Sequence, residues 1–198
     1  MCNIKGNSFT DLKNTLGVIY VVRDPRNIIT SIVHHFSKEN YYEAKEFMFE
    51  EKNIIGRNLE ITKEKYRETE IITLISSWKT NYNSWKNFPK NLLLVKYEDL
   101  INNAELEFSK ISYFISKLLK IKIDEKKIKA SIYNNSFEKL KIVEETEGFG
   151  EAITNNNDKV KKFFNLGPSN NYKKILENEI RKEIELKFNS EMKELGYI

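Results

Sequence analysis

Two short runs of uninterrupted apolar residues stand apart from a chain otherwise patterned at helical spacing. Val18-Ile19-Tyr20-Val21-Val22 and Leu92-Leu93-Leu94-Val95 are too short for helices, and the first is rich in β-branched residues. Each reads as a strand buried on both faces. A helix is predicted over about 25–36, where Ile28, Ile29, Ile32, Val33 and Phe36 share a face, and a short amphipathic one over 41–52. A long helix over 68–87 would turn Ile71, Ile72, Ile75, Trp78, Tyr82 and Trp85 inward, with Phe88-Pro89 as its stop. Further helices are predicted over 104–120, 124–134, 136–142 and 171–190. Residues 53–66 read as an irregular connection, and 145–170 as a loop-rich stretch carrying Gly148, Gly150, Gly167 and Pro168. Two all-apolar strands among many helices argue for an α/β fold, a parallel sheet under helical cover, rather than hairpins. Such a sheet needs neighbours on its edges and layers on both faces, so two strands alone are too few.

The first strand ends in chemistry. Arg23 stands at its carboxyl end, Asp24 is placed to cap the next helix, and Pro25 suits that helix's first turn. In open α/β sheets this end of the strands is where ligands bind. Ser31 follows Arg23 by eight residues, about two turns into the helix. A guanidinium forks two phosphate oxygens and a hydroxyl donates to a third, so the pair suits a phosphate. The spacing equally allows an arginine that merely pairs with Asp24 and a serine on a solvated face.

Composition narrows the classes. With 198 residues, no repeat and no low-complexity linker, the chain is expected to form one domain over 1–198. Charged residues make up 31%, the net charge is +4, and Lys alternates with Glu along the helices. That pattern marks solvated faces, so no nucleic-acid partner is expected. No apolar run has the length of a membrane span and the N-terminus lacks a signal-peptide pattern, so no membrane partner is expected either. The single cysteine, Cys2, has no internal disulfide partner, no Cys/His cluster suggests a metal, and a cytoplasmic location is the default. His34 and His35 are adjacent, do not share a helix face, and read as surface or helix-flank residues.

The segment Gly17 to Ser31 resembles the stretch that binds the 3′-phosphate of the sulfate donor in sulfotransferases, the family using 3′-phosphoadenosine 5′-phosphosulfate (PAPS). On that resemblance, Arg23 and Ser31 grip the 3′-phosphate. Three later landmarks carry the likeness further. The run Leu92 to Leu100, with Tyr97-Glu98-Asp99, is similar to the family's strand into Tyr-Glu-Asp, which places Tyr97 near the donor's adenine and leaves Glu98 and Asp99 structural. Asn135-Ser136-Phe137 resembles a segment lining the adenine pocket, with Phe137 its ring. Phe163-Phe164-Asn165-Leu166-Gly167, followed by Tyr172-Lys173, resembles a late motif of an aromatic pair, Arg-Lys-Gly and then Asp-Trp-Lys. Phe163, Phe164 and Gly167 are therefore donor-site candidates. Asn165-Leu166 stands where the motif has Arg-Lys, so the phosphate grip loses a cation unless Lys161 or Lys162 replaces it. The closing helix resembles the end common in bacterial members.

The resemblance implies a P-loop nucleotide-hydrolase-like parallel sheet with helices on both faces, predominantly helical in this chain. It also implies transfer of a sulfuryl group from PAPS, without a metal, to a hydroxyl or amine of a small-molecule or carbohydrate acceptor. The family's 5′-phosphosulfate loop and the Lys-Thr-His segment holding its base have no counterpart here and are expected at or before Met1, as in an N-terminally incomplete domain. The catalytic base is thus unassigned. Two other classes remain: a non-catalytic adenosine-phosphate-binding or scaffolding module of the same fold, and a kinase-like phosphotransferase, whose Gly-Lys-Ser/Thr loop is not found.

Overall fold

The computed structural model describes residues 3–4, 7–8, 12–55, 73–150, 153–154 and 160–198. Both apolar runs are strands. β1 (Gly17–Val22) and β2 (Asn91–Lys96) pair in parallel, in register from Gly17 opposite Asn91 to Val22 opposite Lys96. Among the described residues the other pairings are three antiparallel two-residue ladders, such as Ile54–Ile55 with Thr73–Leu74.

Helices lie on both faces of the parallel pair. Val22 packs with Ile29 and Ile32 of α1 (Pro25–His35), with Ala44 and Met48 of α2 (Tyr41–Phe49), and with Trp78 and Tyr82 of α3 (Trp78–Lys86). The hydroxyl of Tyr20, on the same side, donates to Asn81 of α3 at 2.9 Å, and burial pushes its pKa up to about 12. At β2's end the chain turns directly into α4 (Tyr97–Asn102), with Glu98 and Asp99 in its first turn, then into α5 (Ala104–Leu119). α5 covers the other face beside Gly17, where a Cβ would fall 2.8 Å from Leu118 and 3.0 Å from the Asn91 carbonyl oxygen. Only glycine lets that helix approach so closely. Farther along this face Ile19 and Val21 stay 37% and 49% exposed, so α5 covers one end of it. α6 (Glu125–Asn134) and α7 (Phe137–Glu147) follow, and the chain closes with α8 (Tyr172–Ile175), α9 (Asn178–Lys187) and α10 (Asn189–Glu194). Among the described residues no helix is long and apolar enough to cross a membrane.

Several predicted boundaries move, each for a local reason. The helix expected over 68–87 begins only at Trp78; Ile71 and Ile72 lie outside the described residues, and Thr73–Leu74 is extended. Ser76 adopts φ +59°, and the buried Ser77 caps α3 by accepting from the Thr80 N–H while donating to Glu51 at 2.8 Å. This cap outweighs an apolar period that runs on through it. The closing helix expected over 171–190 is broken twice. Leu176 turns extended to bury its side chain, and Phe188, fully buried, separates α9 from α10. α4 forms a short helix ahead of the one expected from 104, and α7 runs past the expected end at 142 to Glu147.

A buried ionic lattice ties these elements to the strand tips. Asp24 caps α1 through the Arg26 N–H at 2.9 Å and grips the Arg26 guanidinium at 2.7–3.2 Å. Arg26 also donates to Glu185 of α9 at 2.6 Å and to the Tyr197 carbonyl at 2.8 Å, and lies 4.2 Å over the ring of Tyr172. Burial disfavours its charge, but the hydrogen bonds and charges of Asp24, with Glu185 behind it, more than reverse this, so its pKa is raised. Asp24 donates its own N–H to Glu98 at 3.0 Å, and the other oxygen of Glu98 accepts from the Tyr197 hydroxyl at 3.0 Å. Glu98 therefore serves the framework, as expected. Removing one partner of a buried ion pair leaves the other uncompensated, so Arg26→Met is expected to cost about 3–5 kcal/mol. Urea unfolding followed by the fluorescence of Trp78 and Trp85 measures this, and a loss below about 1 kcal/mol, the value of an exposed pair, would contradict it.

Candidate functional site

Beyond β1's carboxyl end lies a cavity of about 360 Å³, and all seven residues singled out from the sequence line it. Arg23 and Ser31 form one wall. The strand delivers the arginine and α1, fixed by Asp24 and Pro25, delivers the serine, so Arg23 Nη1 reaches Ser31 Oγ at 3.5 Å. The guanidinium lies 4.2 Å over the ring of Tyr97, the first residue of α4. Its Nε is buried without a hydrogen-bond partner. The expected alternative, an Arg23 paired with Asp24, is not what forms: Asp24 is taken by Arg26.

The opposite wall is aromatic. Phe137 opens α7, and its ring lies 5.9 Å edge-on to Phe164, which lies 5.2 Å from Phe163; Phe149 meets both at 5.0 and 4.9 Å. Gly167 closes the wall at φ +50°, where a Cβ would stand 2.3 Å from the ring of Phe137. Its turn is stapled to α1. Asn170 donates to the Asn27 carbonyl at 2.9 Å and to Thr30 Oγ1 at 2.7 Å, and the Tyr172 N–H donates to Asn27 Oδ1 at 3.0 Å. The carboxylate Glu144, buried on α7, accepts from the backbone N–H groups of Phe163 and Phe164, the latter at 3.0 Å.

No carboxylate lines this cavity, whereas Arg23, Ser31, Thr30, His34, His35 and Asn165 do. A guanidinium facing hydroxyls and amides, opposite a row of rings, suits an anion carried on a flat apolar body. Asn165 contributes no charge, and neither lysine considered as a substitute lines the cavity. Lys161 Nζ donates to Ser37 at 3.3 Å and Lys162 Nζ pairs with Glu145 at 2.6 Å. His34 and His35 keep the expected helix-flank position, His35 exposed and His34 partly buried, and both also line the cavity. His34 Nε2 lies 2.6 Å from the Lys162 carbonyl oxygen, and His35 meets Phe36 and Phe163 edge-on. The signal was there: they follow Ser31 by three and four residues, which puts them on its face of the helix. Among the described residues no group of three His, Cys, Asp or Glu is arranged to hold a metal.

Arg23 also borders a second cavity of about 320 Å³ on the other side of β1. It is walled by Tyr20, Ile28, Ile32, Phe36, Phe47 and Trp78, with Asn53 and Asn81 as polar points. Arg23 is the residue common to the linings of these two cavities.

Comparison with known proteins fits this geometry. The family model for the sulfotransferase domain matches residues 8–196. No curated protein matches the chain by sequence. Among solved structures, mouse sulfotransferase SULT7A1 complexed with PAP is similar at TM-score 0.59 and 16% identity, over 88% of this chain and 58% of that one. Retinol dehydratase in complex with androsterone and the inactive cofactor PAP is similar at TM-score 0.56 and 19% identity, over 88% and 47%. The same enzyme with retinol and PAP gives 0.55, again at 19% identity and over 88% and 47%. At these identities the likeness is one of fold, and the chain spans less than two-thirds of the length of each.

The wall's dependence on Gly167 is open to test. Gly167→Ala places a side chain in a left-handed backbone conformation, at about 1–2 kcal/mol, and drives it into Phe137. A lowered urea midpoint with displaced Phe137 ring resonances is expected. Wild-type stability and ring shifts would mean that the turn does not pack on that ring.

Proposed function

The chain belongs to the sulfotransferase family, and we propose that it carries the donor site for sulfuryl transfer from PAPS to a small-molecule acceptor. The observation that carries this reading is the meeting of Arg23 and Ser31, Nη1 3.5 Å from Oγ, in a carboxylate-free cavity closed by rings. A guanidinium with no carboxylate beside it in the cavity attracts an anion, and the rings opposite suit a flat base. Arg23 and Ser31 would hold the 3′-phosphate. Tyr97, Phe137, Phe163 and Phe164 would enclose the adenine and exclude water, and Gly167 would let the backbone come close to the phosphate. When bound, PAPS supplies a sulfuryl group on a phosphate leaving group, transferred in line to an acceptor oxygen or nitrogen that gives up its proton.

The apolar cavity across β1 supports an acceptor side next to Arg23. Its walls come from Ile28, Ile32, Phe47 and Trp78, so an apolar alcohol or phenol fits better than a carbohydrate. Tyr20 and Asn81, joined by the 2.9 Å hydrogen bond from the Tyr20 hydroxyl, offer polar contacts there.

The donor reading is tested by calorimetry with 3′-phosphoadenosine 5′-phosphate. Because Asn165 supplies no cation, binding is expected to be weak, and Arg23→Ala should lower it by roughly 1.5–3 kcal/mol, the value of a charge-assisted contact. Equal affinity in the two proteins would remove Arg23 from the site and the reading with it.

A further inference from the structure

We propose that Glu144 is a positioning residue for the aromatic wall, holding Phe163 and Phe164 so that their rings form the surface against which the base is placed. The proposal rests on the nucleotide reading above. Glu144 does not line the cavity, and it is 8% exposed. Its two carboxylate oxygens each take one backbone N–H, Oε1 from Phe163 and Oε2 from Phe164. Keeping a carboxylate buried is costly unless its acceptor capacity is used, and a packing role alone would be met by an apolar side chain.

The pairing is part of a clamp on three successive residues. The Lys162 carbonyl oxygen lies 2.6 Å from His34 Nε2 of α1; an oxygen only accepts, so that ring nitrogen carries the proton. The Lys162 side chain pairs with Glu145, and the next two N–H groups go to Glu144, both on α7. Residues 162–164 are thereby strung between α1, which carries Ser31, and α7, which carries Phe137. Arg23 and Ser31 lie on the other wall and take no part in the clamp. Loosening Glu144 should therefore alter contact with a base and spare contact with a phosphate.

Glu144→Ala removes both acceptors. Glu144→Gln keeps the volume but offers one oxygen, with an NH₂ group facing the other N–H. The experiment compares the full chain and both variants, using the amide resonances of Phe163 and Phe164 and calorimetry with two probes, 3′-phosphoadenosine 5′-phosphate and the base-free ribose 3,5-bisphosphate. In Glu144→Gln one amide proton should lose its downfield shift, and in Glu144→Ala both should. Adenosine-nucleotide affinity should fall about tenfold in Glu144→Ala, the scale of losing one base–aromatic contact, while the affinity of the base-free bisphosphate changes less than about twofold. An equal loss for both ligands, or unmoved amide protons, would overturn the proposal by leaving Glu144 a merely structural part. A wild-type chain that binds neither ligand would instead overturn the donor-site reading and the base-placing role, with the amide shifts still deciding whether Glu144 holds the wall.

Discussion

Arg26 is a buried cation whose partners come from four parts of the chain, and the architecture of the site depends on it. Asp24 at the tip of β1, Glu185 on α9, the Tyr197 carbonyl near the chain's end and the Tyr172 ring on α8 all converge on one guanidinium. Glu98 extends the lattice to the start of α4 through the Asp24 N–H and the Tyr197 hydroxyl. A charge so deep in the protein is tolerated only because each oxygen around it is placed, which makes the arrangement all-or-none. The consequence for function is indirect but decisive. With Asp24 committed to Arg26, the neighbouring Arg23 has no carboxylate of its own and turns to Tyr97 and Ser31.

Two adjacent arginine sites thus divide the labour of one strand tip. Arg26 is saturated and structural, whereas Arg23 meets only Ser31 and the Tyr97 ring and lines a cavity without acidic groups. The same division explains the aromatic wall. Its rings touch the cavity, while the carboxylate that fixes their backbone stays behind them, where its charge faces N–H groups rather than an incoming anion. Placing that acid in the lining would oppose the ligand that the arginine attracts.

Features set by short-range rules were legible in the sequence. The β-branched run Val18–Val22, the Asp24-Pro25 helix start and the Arg23–Ser31 spacing depend on neighbours a few residues away, and they stand where expected. The seven candidate residues meet in one cavity, and of these Tyr97, Phe137, Phe163, Phe164 and Gly167 were legible only through the family's motifs. Glu144 was not legible. It sits in the exposed-looking run Glu144-Glu145-Thr146-Glu147, and its partners lie about twenty positions later in a loop-rich stretch. Arg26 was passed over for a similar reason: its partners Glu185 and Tyr197 come from the far end of the chain. The late start of α3 was hidden because the apolar period from Ile71 to Trp85 continues through Ser76 and Ser77, whose effect comes from hydrogen bonds to Glu51.

The central claim is that an adenosine 3′-phosphate enters between Arg23 and the aromatic wall. Titrating 3′-phosphoadenosine 5′-phosphate into the isotopically labelled chain, with every assigned backbone amide followed, tests it most directly. The account predicts saturable shifts concentrated at Arg23, Ser31, Tyr97, Phe137 and the run from Phe163 to Gly167. Little change should occur in the cavity across β1 around Phe47 and Trp78. Shifts confined to that second cavity, or no saturable shifts at all, would contradict it.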